Sequence, residues 1–398
     1  MVDWRRAIET LAAIERPSAS TGERQAAELI ADWLRARGCQ CVVEEERAHG
    51  GYWWPISLAN LLAATFGALS RRRRRAPLLA AAGAGVCAAA LWDDLGHGRR
   101  WFRRALLPQR STYNVVGQTG DLSADRVLVV IAHHDAAHSG IVFHPALGRI
   151  GPRLTPRLHE RSSHTVPILY GTWLGPVLVC LGALTRRTWA LRLGLLFCFG
   201  ASAVMADIGA RGVVAGANDN LAAVGVLIAL ADALKRQPVS GLRVVLLSTG
   251  SEESFSEGMQ AFGERHFKDL DPQRTEFLCL ECLGGKRLCV LEGEGMLKMR
   301  DYPESMRQAL ADAASATGVR LGRGLRTVAA TDAIIALRAG YPTATLASVT
   351  DAKLPLNYHW PTDVPEAMHW ETIEQAIAVC GAFLRGRANR ATLAGPED

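Results

Sequence analysis

Apolar residues recur along this chain in two rhythms. Spacings of three and four mark helices over residues 4–16 and 22–37. Short β-branched runs mark strands over 39–45, 113–118 (YNVVGQ) and 126–135 (RVLVVIAHHD). A helix follows from about 220 to 235, then a strand at 242–249 and a helix near 257–267. Strands at 276–282 and 287–292, a helix near 303–317, a strand at 343–348 and a closing helix at 371–385 complete the series. Strands alternating with helices predict an α/β fold, with a mostly parallel central sheet flanked by helices on both faces.

Four longer stretches break that rhythm. Residues 52–70, 76–92 and 165–184 carry no charge, and residues 188–206 carry only Arg192. At about 17–20 residues each they sit near the lower limit for crossing a bilayer core. They come as two pairs, read as apolar helical hairpins inserted at 52–92 and 165–206. Arg71–Arg75 and Arg186–Arg187 would form the tips, and Trp53, Trp54, Trp92 and Trp189 lie at helix ends, where interfacial aromatics belong. Buried core helices are the competing reading, but paired runs with basic tips favour a lipid bilayer as partner. What remains, residues 1–48, 109–143 and 211–390, is roughly 270 residues, enough for a single α/β domain.

Composition supports the membrane reading. Hydrophobic residues make up 49% of the 398-residue chain and charged ones 21%. The net charge of +6 is local: residues 71–104 hold nine arginines and two aspartates, so the remainder is close to neutral. A basic cluster confined to the edges of apolar runs suits anionic lipid rather than nucleic acid. The nine cysteines lack framework spacing, so buried free thiols are expected, and neither Cys39–Cys41 nor Cys279–Cys282 repeats as a metal-binding set. The first residues read as a charged amphipathic helix, not a signal peptide.

Five motifs carry candidate chemistry. A buried strand ends in His133-His134-Asp135, which can supply a metal ligand and the acceptor that orients it. Asp219-Asn220 opens a helix. Asp219 is an N-cap on one reading and a carboxylate bridging two metals on the other. Glu252-Glu253 follows a strand. Adjacent carboxylates repel unless a cation offsets them, and one can bind metal while its neighbour faces water. Glu281 is a charge inside an apolar strand, and His359 lies on a loop before the closing helix. Each alone has an ordinary explanation as a cap, a solvated loop or an edge residue.

The ordered set, strand–HxD, GAxDN–helix, strand–EE, strand–E and YH-x-x-x-D, resembles the zinc-dependent exopeptidase family of aminopeptidase Y, the bacterial leucyl aminopeptidases and glutamate carboxypeptidase II. The resemblance covers 4–46, 112–136 and nearly all of 212–385, and leaves out both hairpins. It implies a cofactor of two Zn2+: His133 and Glu281 on one ion, Glu253 and His359 on the other, and Asp219 bridging. It makes Glu252 the general base and Asp135 the residue that orients His133. Many relatives carry Asp where Glu281 stands. His134 occupies a variable position, and His138 and His144 match no ligand. Between Asp135 and Asp219 most relatives have a far shorter loop, so the second hairpin is expected beside the metal site.

The resemblance implies hydrolysis of peptide bonds and release of an N-terminal amino acid. Three alternatives remain: an amidase or deacylase on lipid-linked or N-acyl substrates, a catalytically inactive receptor or scaffold, and a glutaminyl-cyclase-like transferase with a single metal. The expected partners are a peptide or acylated-peptide substrate and the bilayer. Basic hairpin tips argue that the tips face the cytoplasm and the catalytic part lies outside. The lack of a signal peptide, the reduced thiols and the arginines near residue 100 argue the other way.

Overall fold

A computed structural model describes residues 2–70 and 76–393, with side chains to Asn389. The Arg71–Arg75 tip expected for the first hairpin lies outside the described residues. In chain order the elements are α1 (Trp4–Ala12), α2 (Thr21–Ala36), β1 (Gln40–Ala48), α3 (Trp53–Leu69), α4 (Ala76–Leu95), α5 (Trp101–Leu106), β2 (Arg110–Gly120) and β3 (Val127–His133). Three short helices, α6 (Pro145–Gly148), α7 (Ile150–Leu154) and α8 (Pro156–Arg161), lead to α9 (Tyr170–Thr185) and α10 (Thr188–Ala210). Next come α11 (Ala222–Arg236), β4 (Arg243–Thr249), α12 (Glu257–His266), β5 (Thr275–Glu281), β6 (Arg287–Glu294) and β7 (Arg300–Asp301). The chain continues with α13 (Glu304–Ala316), β8 (Gly322–Thr327), α14 (Ala333–Arg338), β9 (Thr343–Val349) and α15 (Trp370–Leu393).

The strands form one sheet in the order β1-β2-β4-β3-β5-β9-β6-β7, with β8 also on β6. Its centre, β4-β3-β5-β9, is parallel, as the alternation of strands and helices predicts. Both flanks add antiparallel pairs, β1–β2 and β2–β4 on one side and β6–β9 and β6–β7 on the other. Alternate residues feed two cores. Leu128, Val130, Val244 and Leu246 face α1, α2, α11 and α15, and Val129, Ile131, Val245 and Leu247 face α12 and α14. This is the two-residue period of a sheet covered on both faces. β8 and α14 escape the hydrophobic pattern: in β8 only Leu325 is buried, and α14 has just six residues.

The four apolar runs are helices α3, α4, α9 and α10, and they pack as one bundle rather than as two separate hairpins. Its interior is alanine, glycine and cysteine rich. A Cβ on Gly182 would come within 2.5 Å of the Leu191 backbone nitrogen, and one on Gly194 within 2.7 Å of that of Val179. Close backbone approach through small residues is how apolar helices associate when surrounding lipid offers no hydrophobic contrast. The outer faces expose Leu78, Leu79, Val86, Leu196 and Phe199. Among the described residues, three helical stretches are long and apolar enough to cross a membrane: α4, α10 and Ala217–Arg236. The last is almost wholly buried in the α/β fold and is a core helix; α3 and α9 are shorter.

Candidate metal centre

Three neighbouring parallel strands point their C-terminal ends at one place. β3 ends at His133, β4 ends at Thr249 three residues before Glu252, and β5 ends at Glu281. His133 is paired in register with Thr249. Asp219 arrives from the turn before α11, and His359 from the loop between β9 and α15. Asp219 makes no helix cap; the N-cap position of α11 is Leu221.

All five ligand candidates and the base candidate converge. His133 Nε2 lies 3.2 Å from Asp219 Oδ1, 3.8 Å from Glu281 Oε1 and 3.9 Å from Glu252 Oε2. His359 Nε2 lies 3.3 Å from Asp219 Oδ2 and 3.1 Å from Glu253 Oε2. The two oxygens of Asp219 therefore face two different imidazoles. Ligand atoms of His133, Asp219 and Glu253 all fall within 4.8 Å of one another, as do those of Asp219, Glu281 and Cys282. Cys282 reaches the edge of the cluster by itself, its Sγ 3.2 Å from Glu281 Oε1. His134 turns away to Ser248 Oγ at 2.9 Å, and burial pushes its pKa down to about 3. His138 packs at a tilt against Trp53, and His144 caps α6.

The electrostatics call for a cation. Four carboxylates, those of Asp219, Glu252, Glu253 and Glu281, share a largely buried space with two imidazoles. Burial lifts Glu252 well above the ordinary carboxylate range and Glu253 to about 7, with neighbouring carboxylates adding to the rise. Burial opposes charge on His359, yet Glu253 and Asp219 raise it to about 10. Glu253 Oε1 and His359 Nδ1 are buried without a hydrogen-bond partner. Such crowding is costly without a metal, and nitrogen and oxygen donors of this kind suit zinc.

The site is held from behind. Asp135 Oδ1 accepts the backbone N–H of Glu252 at 3.0 Å and Oδ2 that of Glu253 at 3.1 Å; Oδ1 also lies 3.4 Å from His133 Nδ1. Asn220 clamps the turn onto β5, donating to Leu280 O and accepting from the Cys282 amide, both at 2.9 Å. Asp363, the last residue of YH-x-x-x-D, accepts the amides of Asn218 at 2.7 Å and Asp219 at 3.1 Å.

Other supports went unread in the sequence. Glu23 accepts five backbone or hydroxyl donors, from Ala19, Thr112, Tyr113 and Ser251, and Arg16 ties His134 O to Gly216 O. Asp332 precedes α14 as a cap would, but it turns inward to Thr249, and burial raises it to about 7. Only the pairing of distant segments reveals these jobs. A cavity of about 150 Å3 opens onto the cluster between Tyr52, Phe143, Ile168, Leu169 and Phe255.

The sequence pattern described as peptidase family M28 matches residues 202–384. That span holds Asp219, Glu252, Glu253, Glu281 and His359, and begins after His133. No curated protein matches the chain. Among solved structures, it is similar to an aminopeptidase from Aneurinibacillus sp. strain AM-1, with 12% identity, 96% of this chain and 92% of that one covered, and a TM-score of 0.55. A zinc aminopeptidase from Bacillus subtilis gives 13% identity, 97% and 96% coverage and a TM-score of 0.55. A glutaminyl cyclase from Tannerella forsythia gives 12%, 96% and 97%, and 0.56. The ordered motifs, the matched segment and the shared fold agree: residues 202–384 carry the pattern of peptidase family M28, and the fold is that of the zinc aminopeptidases and glutaminyl cyclases it resembles.

Proposed function

We propose that this protein is a membrane-associated aminopeptidase that hydrolyses peptide bonds with two zinc ions. The observation that carries the reading is Asp219, whose two oxygens face His133 and His359 separately. One carboxylate serving two imidazoles is the arrangement a bridging ligand needs. His133 and Glu281 would complete one site, and Glu253 and His359 the other.

Zinc bound there supplies Lewis acidity and brings water ionisation toward neutral pH. The chain's own residues do the rest. Glu252 faces the cluster from the turn after β4, its Oε2 3.9 Å from His133 Nε2, placed to accept a proton from water and return it to the leaving amine. Asp135 fixes His133 and the backbone of both glutamates, so ligand and base keep their spacing. The exposed apolar faces of α3, α4, α9 and α10 support a bundle inserted in lipid, with the α/β part on one side, extracytoplasmic if the basic tips face the cytoplasm.

Glu252→Gln tests the mechanism. The variant is expected to keep two zinc ions per chain by elemental analysis and to lose about 10²–10⁴-fold in turnover of aminoacyl peptides. Near-normal turnover would remove Glu252 as the base, and a zinc content of zero would reject the site. The likeness to glutaminyl cyclases supports a second reading, which predicts one zinc per chain and cyclisation of N-terminal glutamine.

A further inference from the structure

The cavity at the metal cluster does not stand alone. A second cavity of about 320 Å3 lies between α9, α10 and the segment after Gly140. Phe143, Ile168 and Leu169 line both. Phe143 is the junction: its ring packs edge-on against His359, with centroids 4.6 Å apart, on one side, and it walls the groove on the other. Apart from Thr172, whose hydroxyl is taken up by Leu169 O at 2.6 Å, the groove is lined by apolar residues or glycine. It opens beside Leu196 and Phe199, which are 67% and 55% exposed on the outer face of α10.

The cluster's own cavity has a polar side, with Lys353 and the carboxylates, and an apolar side of Val166, Ile168, Leu169 and Phe255. Segment 163–165 is pinned to the end of β8, with Arg326 N donating to Ser163 O at 2.7 Å and Thr165 N to Arg326 O at 3.0 Å. The base of the second hairpin is thus part of the site's wall. Two groove glycines leave room: a Cβ on Gly200 meets nothing within 4 Å, and one on Gly171 meets only Phe197 at 3.9 Å.

We propose that the groove between α9 and α10 holds a long hydrocarbon chain on the leaving side of the substrate, so that the enzyme acts on amphiphilic amides presented from the lipid phase. The inference rests on the aminopeptidase reading. An exopeptidase removes one terminal residue, and everything beyond the scissile bond must leave by an open route. Here that route passes Phe143 and Leu169 into an apolar groove on a lipid-facing helix. A charged peptide would lose hydration there without gaining partners, whereas a methylene chain gains burial.

The test uses the full-length, zinc-loaded protein in phosphatidylcholine vesicles. Leucine dodecylamide is compared with leucine methylamide and N-dodecanoyl-leucine. The expected result is a kcat/KM for the dodecylamide at least about tenfold above the methylamide. Gly200→Phe and, independently, Gly171→Leu should erase that preference while leaving methylamide turnover unchanged. Equal rates for the two amides, a preference that survives both fillings, or turnover of the N-acyl compound alone would overturn the proposal. A dodecylamide bearing a terminal diazirine gives a readout without turnover. Photo-adducts on residues 196–208 support the groove even if nothing is hydrolysed, in which case the aminopeptidase reading alone falls. Adducts confined to other surfaces would sink the groove.

Discussion

The Glu252 amide donates to Asp135 Oδ1 at 3.0 Å, so the residue expected to orient His133 also holds the backbone of the general-base candidate. Its other oxygen accepts the Glu253 amide and the Ser18 hydroxyl. An asparagine there keeps one acceptor and loses the charge facing His133 Nδ1. Asp135→Asn is therefore expected to weaken zinc binding about 10–100-fold. Turnover at saturating zinc should also fall. Competition against a chromophoric chelator reads the affinity, and an unchanged value would show that the Asp135 backbone oxygen, 3.2 Å from His133 Nδ1, orients the ring without the carboxylate.

Chelation should destabilise the fold. Four buried carboxylates face one another around His133 and His359, and with the ion removed their repulsion and lost hydration are uncompensated. A ligand that binds only the folded state at a hundredfold excess over its Kd adds about 2.7 kcal/mol. Zinc-loaded protein is thus expected to melt several degrees above protein treated with a chelator, with the difference growing as free zinc rises. In Glu253→Gln combined with His359→Ala much of that dependence should vanish. A melting temperature indifferent to zinc would show that the cluster binds no ion in the folded state.

The central strands, the long helices and the site motifs were legible because each writes its own local signal. A β3 that is apolar until His133, and a Glu281 placed in an apolar strand, announce themselves by contrast with their neighbours. Asp219 was ambiguous locally, since an Asp before a helix usually caps it, and only its placement between two histidines decides otherwise. Glu23, Arg16 and Asp332 gave no such contrast. Their partners lie far away in sequence, Glu23 meeting Ser251 and Arg16 meeting Gly216. The union of two hairpins into one bundle was likewise invisible, because helix pairing depends on which small-residue faces meet and not on hydropathy.

Glu257 offers a pH signature away from the metal cluster. It opens α12 and accepts the amide of Gly50 at 2.8 Å and the Ser254 hydroxyl at 2.7 Å, with His49 and the guanidinium of Arg103 also facing it. Burial alone would raise its pKa. The hydrogen bond with His49, the charges of Arg103 and Arg100 and the Gly50 amide outweigh that and lower it to about 2. A folded pKa below the ordinary 4.5 means that the ionised form adds stability above about 4.5, which is lost as the pH falls toward 2. The shift corresponds to roughly 3 kcal/mol. Glu257→Gln should therefore melt well below the parent protein at pH 7, and the two should converge near pH 2–3. A constant gap across that window would rule out ionisation as the source.

Arg103 links the first hairpin to the turn that carries Glu252. Fully buried on α5, it binds Asp94 at the end of α4 through Nη2 at 2.6 Å and Nε at 3.1 Å, and donates to Ser254 O at 2.7 Å. Arg100 adds a bond to Phe255 O. The turn needs such anchors, because Ser251, Phe255 and Ser256 all hold positive φ, which costs energy for residues with a side chain. Arg103→Leu strips Asp94 of its two-point partner, leaving only Arg100 Nε at 4.0 Å, removes the guanidinium 3.7 Å from Glu257, and is expected to cost about 3–5 kcal/mol. Adding Asp94→Leu removes the nearer of the two carboxylates that Arg103 faced and should restore part of that stability. Catalysis should not return with it, because Ser254 O still lacks its donor and Glu252 sits two residues away. The expected pattern is a double variant that is folded and zinc-loaded, with a kcat reduced by more than its KM is raised. A double variant with full kcat would show that the base of the hairpin stabilises the fold without positioning Glu252.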